Sequence, residues 1–573
     1  MKIIQRPLPD KAVKSSEDLH PVLERVYRSR GVVSAKELDH SLSRLLPATQ
    51  LKHLDEAASL LQQVLEQDGR FLIVGDYDCD GATSSVLAIL ALQAFGANNV
   101  SYLVPNRFEF GYGLTPEIVD LAVQQHPNLI ITVDNGIASI AGVERANASG
   151  VPVLITDHHL PGDWLPPAAV IVNPNQPDDG FPSKHLAGVG VIFYVMAALR
   201  SRLRGNGWFE RNARAVPNLA EWLDLVALGT VADLVPLDAN NRILVEQGLR
   251  RIRAGRCRPG IQALLELAGR SLHRVVASDL GFAVGPRLNA AGRLEDMGLG
   301  IECLLTEDHQ AASGMAQELD RLNRTRREIE QQMKEQAVSA LERLHLESAG
   351  ELPAGLCLYR PEWHQGVIGI LAARIREQYH RPAIVFADGG AGMLKGSARS
   401  VPELHIRDLL DRIASQHSGL LDRFGGHAMA AGLSLREENF QAFRTAFEQA
   451  AGSQLDIDAL EGSHTSDGSL SAEQLSLELA QQIRFAGPWG QGFAEPVFDD
   501  GFRVVHQRVV GERHLKLRLT AMDNNDIIDA IAFNQADLGR LPEQVHLVYR
   551  LDVNEFRGLL QPQLIVEAIQ STS

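Results

Sequence analysis

A chain of 573 residues is too long for one hydrophobic core, so three or four domains are expected. Its 45% hydrophobic and 22% charged residues are ordinary globular composition, and no apolar run approaches the ~20 residues that span a bilayer. A formal net charge of −16 neither demands nor excludes a polyanion, because a basic groove can coexist with acidic outer faces. The N-terminus MKIIQRPLPDK lacks the pattern of a secretory signal, and Cys79, Cys257, Cys303 and Cys357 form no CxxC pair. Reduced thiols, a cytoplasmic location and no membrane partner are expected.

Residues 1–50, with Pro7, Pro9 and a short helical stretch over Leu19–Arg28, read as an arm laid on the next domain. A domain is expected over 51–306, and from 51 to about 235 apolar strand candidates alternate with helical segments: FLIVGD (71–76), VSYLVP (100–105), LIITVDNG (129–136), VPVLITDHH (151–159) and AAVIVNP (168–174). Runs apolar throughout predict a parallel sheet covered by helices. Helices follow to LALGTVADLVPL and beyond, with GPRLNAAGR (285–293) read as a loop. Residues 307–345 are free of proline and rich in helix formers, which predicts one long connecting helix. A second, smaller α/β unit covers 346–451, with strands at GLCLY, PAIVFAD and LKGSARS. From 452 to 573 a Gly/Ser/Asp-rich linker leads into short strands, which suggests a small barrel or sandwich. In HLKLRLT, Leu515, Leu517 and Leu519 share a core face while His514, Lys516 and Arg518 share the other.

The first strand runs into DYDCDG, which carries Asp76, Asp78 and Asp80 at alternate positions. Alone, such a run reads as a solvated turn with a helix cap. Three other points change that reading. Asp134 directly follows a strand, Asp157, His158 and His159 follow another, and Asp233 follows a helical stretch. In a parallel sheet the strand ends converge on one edge, where carboxylates and imidazoles can share a cation. Oxygen ligands with histidine suit Mn²⁺ and suit Mg²⁺ less well at the imidazole.

DYDCDG, VDNG, DHH and TVADLVPL, in this order, resemble the signature motifs of the DHH phosphoesterase superfamily. GGHAMAAG (425–432) resembles the hallmark of the DHHA1 domain. PEWHQGVIGILAARI (361–375), KGSARS (395–400), GPRLNAAGR and the strand-rich end resemble its branch of single-strand-specific 5′ exonucleases. The resemblance implies a parallel-sheet DHH catalytic domain, a long helix, a smaller α/β DHHA1 domain and a C-terminal all-β OB-like domain.

It also implies two divalent ions, Mn²⁺ or Mg²⁺, bridged by Asp134, with Asp78, Asp80, His158 and Asp233 completing the shells. Asp76 is implied as a second-shell or weaker ligand. His159 would stand beside the scissile phosphate, so His159, Asp134 and Asp76 take the catalytic roles. Val74 stands where many members carry histidine, so ligation at that corner falls to carboxylates or water. No GxSxG or Cys-His grouping offers a protein nucleophile.

The family further implies a phosphate grip by Gly425, Gly426 and His427, by Arg287, by Ser397 and Arg399, and by Arg107 at a 5′-terminal phosphate. Arg321, Arg324, Arg326 and Arg327 read as a solvated helix face, and Trp363 as either a cleft or a core residue. Arg503, Arg508, Arg513, Lys516 and Arg518 give the last domain a local basic excess for backbone binding. The expected activity is metal-dependent degradation of single-stranded DNA, 5′ to 3′, to 5′-mononucleotides in repair and recombination. Expected partners are single-stranded DNA, a helicase and a single-strand-binding protein, around a monomer. The alternatives are a phosphoesterase acting on small phosphates such as pyrophosphate, oligoribonucleotides or cyclic dinucleotides, and a non-catalytic DNA-binding scaffold.

Overall fold

The computed structural model describes residues 2–9, 19–105, 113–347, 352–455 and 463–571. One compact unit is built on Arg321–His464, and the other joins Ile4–Asp320 to Thr465–Ser573. The long helix foreseen over 307–345 runs from His309 to Glu347 and carries the chain from one unit into the other. Among the described residues no helix is long and apolar enough to cross a membrane.

The larger unit holds five parallel strands: β1 (Phe71–Gly75), β2 (Val100–Leu103), β3 (Leu129–Val133), β4 (Val153–Thr156) and β5 (Val170–Val172). Their spatial order is β2-β1-β3-β4-β5, so the winding reverses between β1 and β3. A crevice opens at such a switch point, outside the carboxyl ends of the strands. Every residue of β1, β3 and β4 is buried, which is why their sequences carry no polar alternation. Gly75 pairs with Val133, Val133 with Thr156, and Thr156 with Val172. The next residues, Asp76, Asp134, Asp157 and Asn173, therefore leave the sheet in one row.

The helix Cys79–Phe95 follows β1 directly and is buried on nearly every side. GPRLNAAGR, read from sequence as a loop, is instead the helix Gly285–Leu294. Pro286 lies in its first turn, where a missing N–H costs nothing and the fixed φ suits the helix.

In the smaller unit β6 (Leu356–Tyr359), β7 (Ala383–Gly390), β8 (Met393–Arg399), β9 (Arg423–Gly426) and β10 (Ala430–Arg436) form a sheet of order β9-β10-β8-β7-β6. Only β6 and β7 run parallel. GGHAMAAG is a hairpin: β9 ends at Gly426, β10 begins at Ala430, and Gly425 pairs with Gly432. One face packs on Phe443 and Phe447, and the other on Met333, Ala337 and Leu341 of the long helix. Trp363 belongs to that second core and donates its indole N–H to Gln336 Oε1 at 2.6 Å.

The chain ends in a closed barrel of β11 (Phe498–Val510), β12 (His514–Ala521), β13 (Ile527–Ala532), β14 (Gln544–Phe556) and β15 (Leu559–Ser571), ordered β11-β12-β13-β15-β14. Closure leaves no strand edge exposed. Leu515, Leu517 and Leu519 fill its interior, as their alternation foretells. The arm helix Pro21–Ser29 packs on the segment that precedes the barrel: Tyr27 stacks on Trp489 and Phe493, and Arg30 grips Asp467.

Candidate active site

The row of strand-end residues gains its shape from the backbone. Asp134 has φ 61°, a left-handed conformation that a short polar side chain tolerates better than most. Its N–H donates to Thr156 O at 3.0 Å. The Asn135 amide donates to Val74 O at 3.0 Å and Val133 O at 2.9 Å, stapling β1 to β3 across the switch point. Asp78 caps the helix Cys79–Phe95 by accepting the N–H groups of Asp80 and Gly81. Asp80, one turn in, accepts Gly188 N–H at 2.6 Å and Val189 N–H at 3.0 Å. These N–H groups begin the helix Gly188–Gly205, whose positive end suits a carboxylate. Asp233 caps the carboxyl end of the helix Leu223–Ala232.

Ligand atoms of these residues lie within 4.8 Å of one another in three groups: Asp76, Asp78 and Asp134; Asp80, His158 and Asp233; Asp134, His158 and His159. Asp134 and His158 each belong to two groups, so the groups share corners. All seven cluster residues expected from sequence are thus brought together. Asp76 offers a ligand atom in the same group as Asp78 and Asp134. Val74 is fully buried in β1, and Asp76 and Asp78 each offer a carboxylate oxygen near that corner.

Burial, and then the charges of Asp80, Asp78, Asp233 and Asp76, push the Asp134 carboxyl well above the usual range. Burial and the charge of Asp78 lift Asp80 to about 7, against the pull of its two N–H donors. Burial, with the charge of His159, lowers His158 to about 3 and leaves a neutral imidazole. Its Nε2 lies 3.1 Å from Asp134 Oδ1 and 3.5 Å from Asp233 Oδ2 and makes no hydrogen bond. Carboxylate oxygens and an imidazole nitrogen converge there. Carboxylate oxygens around a neutral imidazole nitrogen are a donor set that fits a divalent cation.

Asp157 was placed at the cluster from sequence but given no role of its own, and the structure shows what it holds. Its Oδ1 accepts the His158 and His159 N–H groups and His159 Nδ1 at 2.7 Å, while Oδ2 accepts Ile137 N–H. Burial opposes a charged His159, but the hydrogen bond and charge of Asp157 outweigh it and raise His159 to about 9. The carboxylate just ahead of two histidines was the available signal, since a short acidic side chain folds back onto the N–H groups that follow it. Asn289 was missed; it accepts Cys79 N–H at 2.7 Å and pins the acidic loop.

Glycines set the spacing of the cluster. A Cβ at Gly188 would stand 2.6 Å from Asp134 Cβ, and one at Gly229 2.7 Å from Asp80 Oδ1.

The expected phosphate-binding residues are more dispersed. Ser397, Arg399, Gly425 and Gly426 lie on strands of the smaller unit that flank β10, with Gly432 paired to both Ser397 and Gly425, and His427 follows in the hairpin turn. Arg399 donates to Ser397 Oγ at 3.1 Å, and burial with nearby Arg376 lowers its pKa. Arg287, on the helix Gly285–Leu294, is paired with Asp320 at 2.9 Å. Arg107 lies outside the described residues. Arg326 turns inward to Asn323 and Glu330, whereas Arg321, Arg324 and Arg327 are exposed as foreseen. On the barrel, Lys516 sits 3.0 Å and Arg518 4.0 Å from Asp529, so its basic face is partly neutralised.

Carboxylates and a tandem histidine gathered at the switch point of a parallel sheet define a phosphoesterase of the DHH class. Residues 70–230 match the DHH family, N-terminal domain, and residues 353–453 match the DHHA1 domain. Residues 466–568 match the RecJ OB domain. The chain is 53% identical to the single-stranded-DNA-specific exonuclease RecJ of Escherichia coli (strain K12) over 570 residues, covering 99% of this chain and 98% of that protein. It is 32% identical to the Bacillus subtilis (strain 168) protein of the same name, covering 98% of this chain and 70% of that one. The crystal structure of RecJ in complex with Mn²⁺ from Thermus thermophilus superposes with TM-score 0.81 at 32% identity, covering 100% of this chain and 79% of that chain. The Mg²⁺ complex from the same organism gives 0.75 at 30% identity, covering 100% of this chain and 78% of that chain. The chain belongs to the RecJ family of single-stranded-DNA-specific exonucleases.

Proposed function

We propose that this protein is a metal-dependent exonuclease that degrades single-stranded DNA from its 5′ end and releases 5′-mononucleotides. The observation that carries the reading is the set of three ligand groups sharing Asp134 and His158 at the switch point. Asp76, Asp78, Asp80, Asp134, His158 and Asp233 would hold two divalent ions, with Asp134 between them. Bound Mn²⁺ or Mg²⁺ supplies Lewis acidity at the phosphoryl oxygens and lowers the pKa of the attacking water. Asp157 orients the His159 ring through Nδ1, so that His159 polarises the scissile phosphate.

Polarity calls for residues that recognise a terminal phosphate. We assign that contact to Arg107, and contacts with phosphates of the strand to Arg287 in the larger unit and to Ser397, Arg399, Gly425, Gly426 and His427 in the smaller one. The lowered pKa of Arg399 supports its part, since a guanidinium among burial and a second cation gains from a bound anion. The barrel, with its basic residues outward, holds the strand by its backbone. A helicase that supplies single strands and a single-strand-binding protein that coats them are the partners such chemistry requires, in the cytoplasm where the DNA is.

The test uses 5′-labelled and 3′-labelled single-stranded DNA with Mn²⁺, with Mg²⁺ and with chelator. Release of label first from the 5′ end, abolished by chelator and by Asp134→Ala, is the expected result. Turnover of pyrophosphate or dinucleotides without DNA hydrolysis would replace this reading with a small-phosphate enzyme, and binding without turnover would replace it with a scaffold.

A further inference from the structure

Asp233 joins the cluster from a helix end rather than from the sheet. The residue after it, Leu234, has φ 61° and a side chain 68% exposed. A bulky residue keeps a left-handed backbone only where its surroundings over-determine it. Upstream, Asp233 N–H donates to Gly229 O at 2.9 Å and fixes the helix end. Downstream, Asp238 caps the next helix, Ala239–Arg253. Within that helix, Asn241 Nδ2 donates to Pro236 O at 3.0 Å and Arg242 Nη1 to Leu237 O at 2.9 Å.

A further hold on this connection comes from a segment some 250 residues later. Leu237 N–H donates to Gln491 O at 2.7 Å. A Cβ at Gly490 would stand 2.7 Å from Leu237 Cδ1, and one at Gly492, where φ is +71°, 3.1 Å from Pro236 Cβ. Phe493 lies under the Arg242 guanidinium at 4.2 Å and stacks on Trp489 at 5.1 Å. Residues 489–493 lead into β11, the first strand of the barrel. They touch no cluster residue in any contact described above, but they clamp the connection that begins at Asp233.

We infer that Trp489–Phe493 is a positioning element for Asp233, so that the metal centre is fully formed only when the segment entering the barrel is seated. Gly490, Gly492 and Phe493 act through Pro236 and Leu237, and Arg242 links both sides of the clamp. The inference rests on the reading of Asp233 as a metal ligand. Disturbing the segment therefore weakens the hold on the ion before it weakens the hold on DNA. Outer residues that orient a ligand typically change metal affinity by about 10–100-fold.

The test is made on the full chain, with Mn²⁺ as the probe and the free ion followed by electron paramagnetic resonance without DNA. Gly490→Val is expected to raise the Kd for Mn²⁺ by about 10–100-fold. At fixed Mn²⁺ kcat falls while KM for single-stranded DNA is unchanged, and added Mn²⁺ restores part of kcat. In an Asp233→Asn background the same substitution has no further effect. Phe493→Leu, which keeps an apolar side chain but removes the Arg242 stack, shifts Mn²⁺ affinity in the same direction by less and serves if Gly490→Val does not fold. A folded Gly490→Val or Phe493→Leu protein with parental Mn²⁺ affinity overturns the inference, as does an equal loss in the Asp233→Asn background. Parental Mn²⁺ affinity in Asp233→Asn alone, with loss in Asp134→Ala, removes Asp233 from the ligand set and the inference with it.

Discussion

Two buried aspartates in the same unit live in opposite fields. Around Asp134 the neighbours that matter are other carboxylates, and its carboxyl is pushed up. Asp467 is as well buried, but Arg30 meets it at 2.7 and 2.9 Å, with Arg6 at 3.3 Å, and its carboxyl is held below the usual range despite the burial. At one place burial and neighbouring carboxylates disfavour the charged form, and at the other two guanidinium groups favour it. Carboxylates that raise one another's pKa values form an environment that a cation relieves, whereas the Arg–Asp pairing is complete in itself.

The contrast breaks most visibly in activity. Asp134→Ala is expected to lower exonuclease turnover by about 10³-fold or more while leaving single-stranded DNA binding in chelator intact. Labelled-strand kinetics and anisotropy read the two arms.

Stability should respond at the other place. Arg30→Ala strands a buried carboxylate and is expected to cost about 3–5 kcal/mol in urea unfolding, with the metal groups untouched. The pH arm has a definite sign. Because the folded Asp467 value lies below the ordinary 3.8, its stabilisation is full above that value and is lost as pH falls through the lower folded one. The parent chain should therefore lose stability on acidification below about pH 4 by an increment that Arg30→Ala no longer shows.

Removing charge from the cluster should do the reverse. Asp134→Asn in chelator is expected to raise unfolding stability by about 1 kcal/mol, the gain that follows when a strained functional site is relaxed. A drop in stability there would show that Asp134 is structural after all.

The smallest effect lies on the barrel, where Asp529 stands between Lys516 and Arg518. Asp529→Asn should leave stability within about 1 kcal/mol and strengthen single-stranded DNA binding. The salt dependence should steepen by about 0.7 in slope for each cation released to a phosphate.

Much of this organisation was legible because burial writes itself into sequence. The runs of β1, β3 and β4 announced a two-faced sheet, and their carboxylates announced an edge. The alternation of Leu515, Leu517 and Leu519 announced a strand with one face in a core, and the run of short strands a barrel or sandwich. The misreading of GPRLNAAGR as a loop fell where a small residue serves packing. Gly292 in GPRLNAAGR looks like a helix breaker, but a Cβ there would stand 1.8 Å from Tyr77 O, so it lets the helix press on the acidic loop. In GGHAMAAG the strand alternation is carried by glycine and alanine, which leave little hydrophobic signal. The grip of Trp489–Phe493 on residues 236 and 237 joins places some 250 positions apart, and no local pattern records such a contact.

Gly188 gives the acidic pocket a hard limit. Its missing methyl group leaves the space into which Asp134 fits, since any side chain there would begin 2.6 Å from Asp134 Cβ. The gap between the wall that donates to Asp80 and the carboxylate at the heart of the cluster is thus cut by subtraction. It cannot be retuned by degrees: the smallest available change, glycine to alanine, is already larger than the clearance.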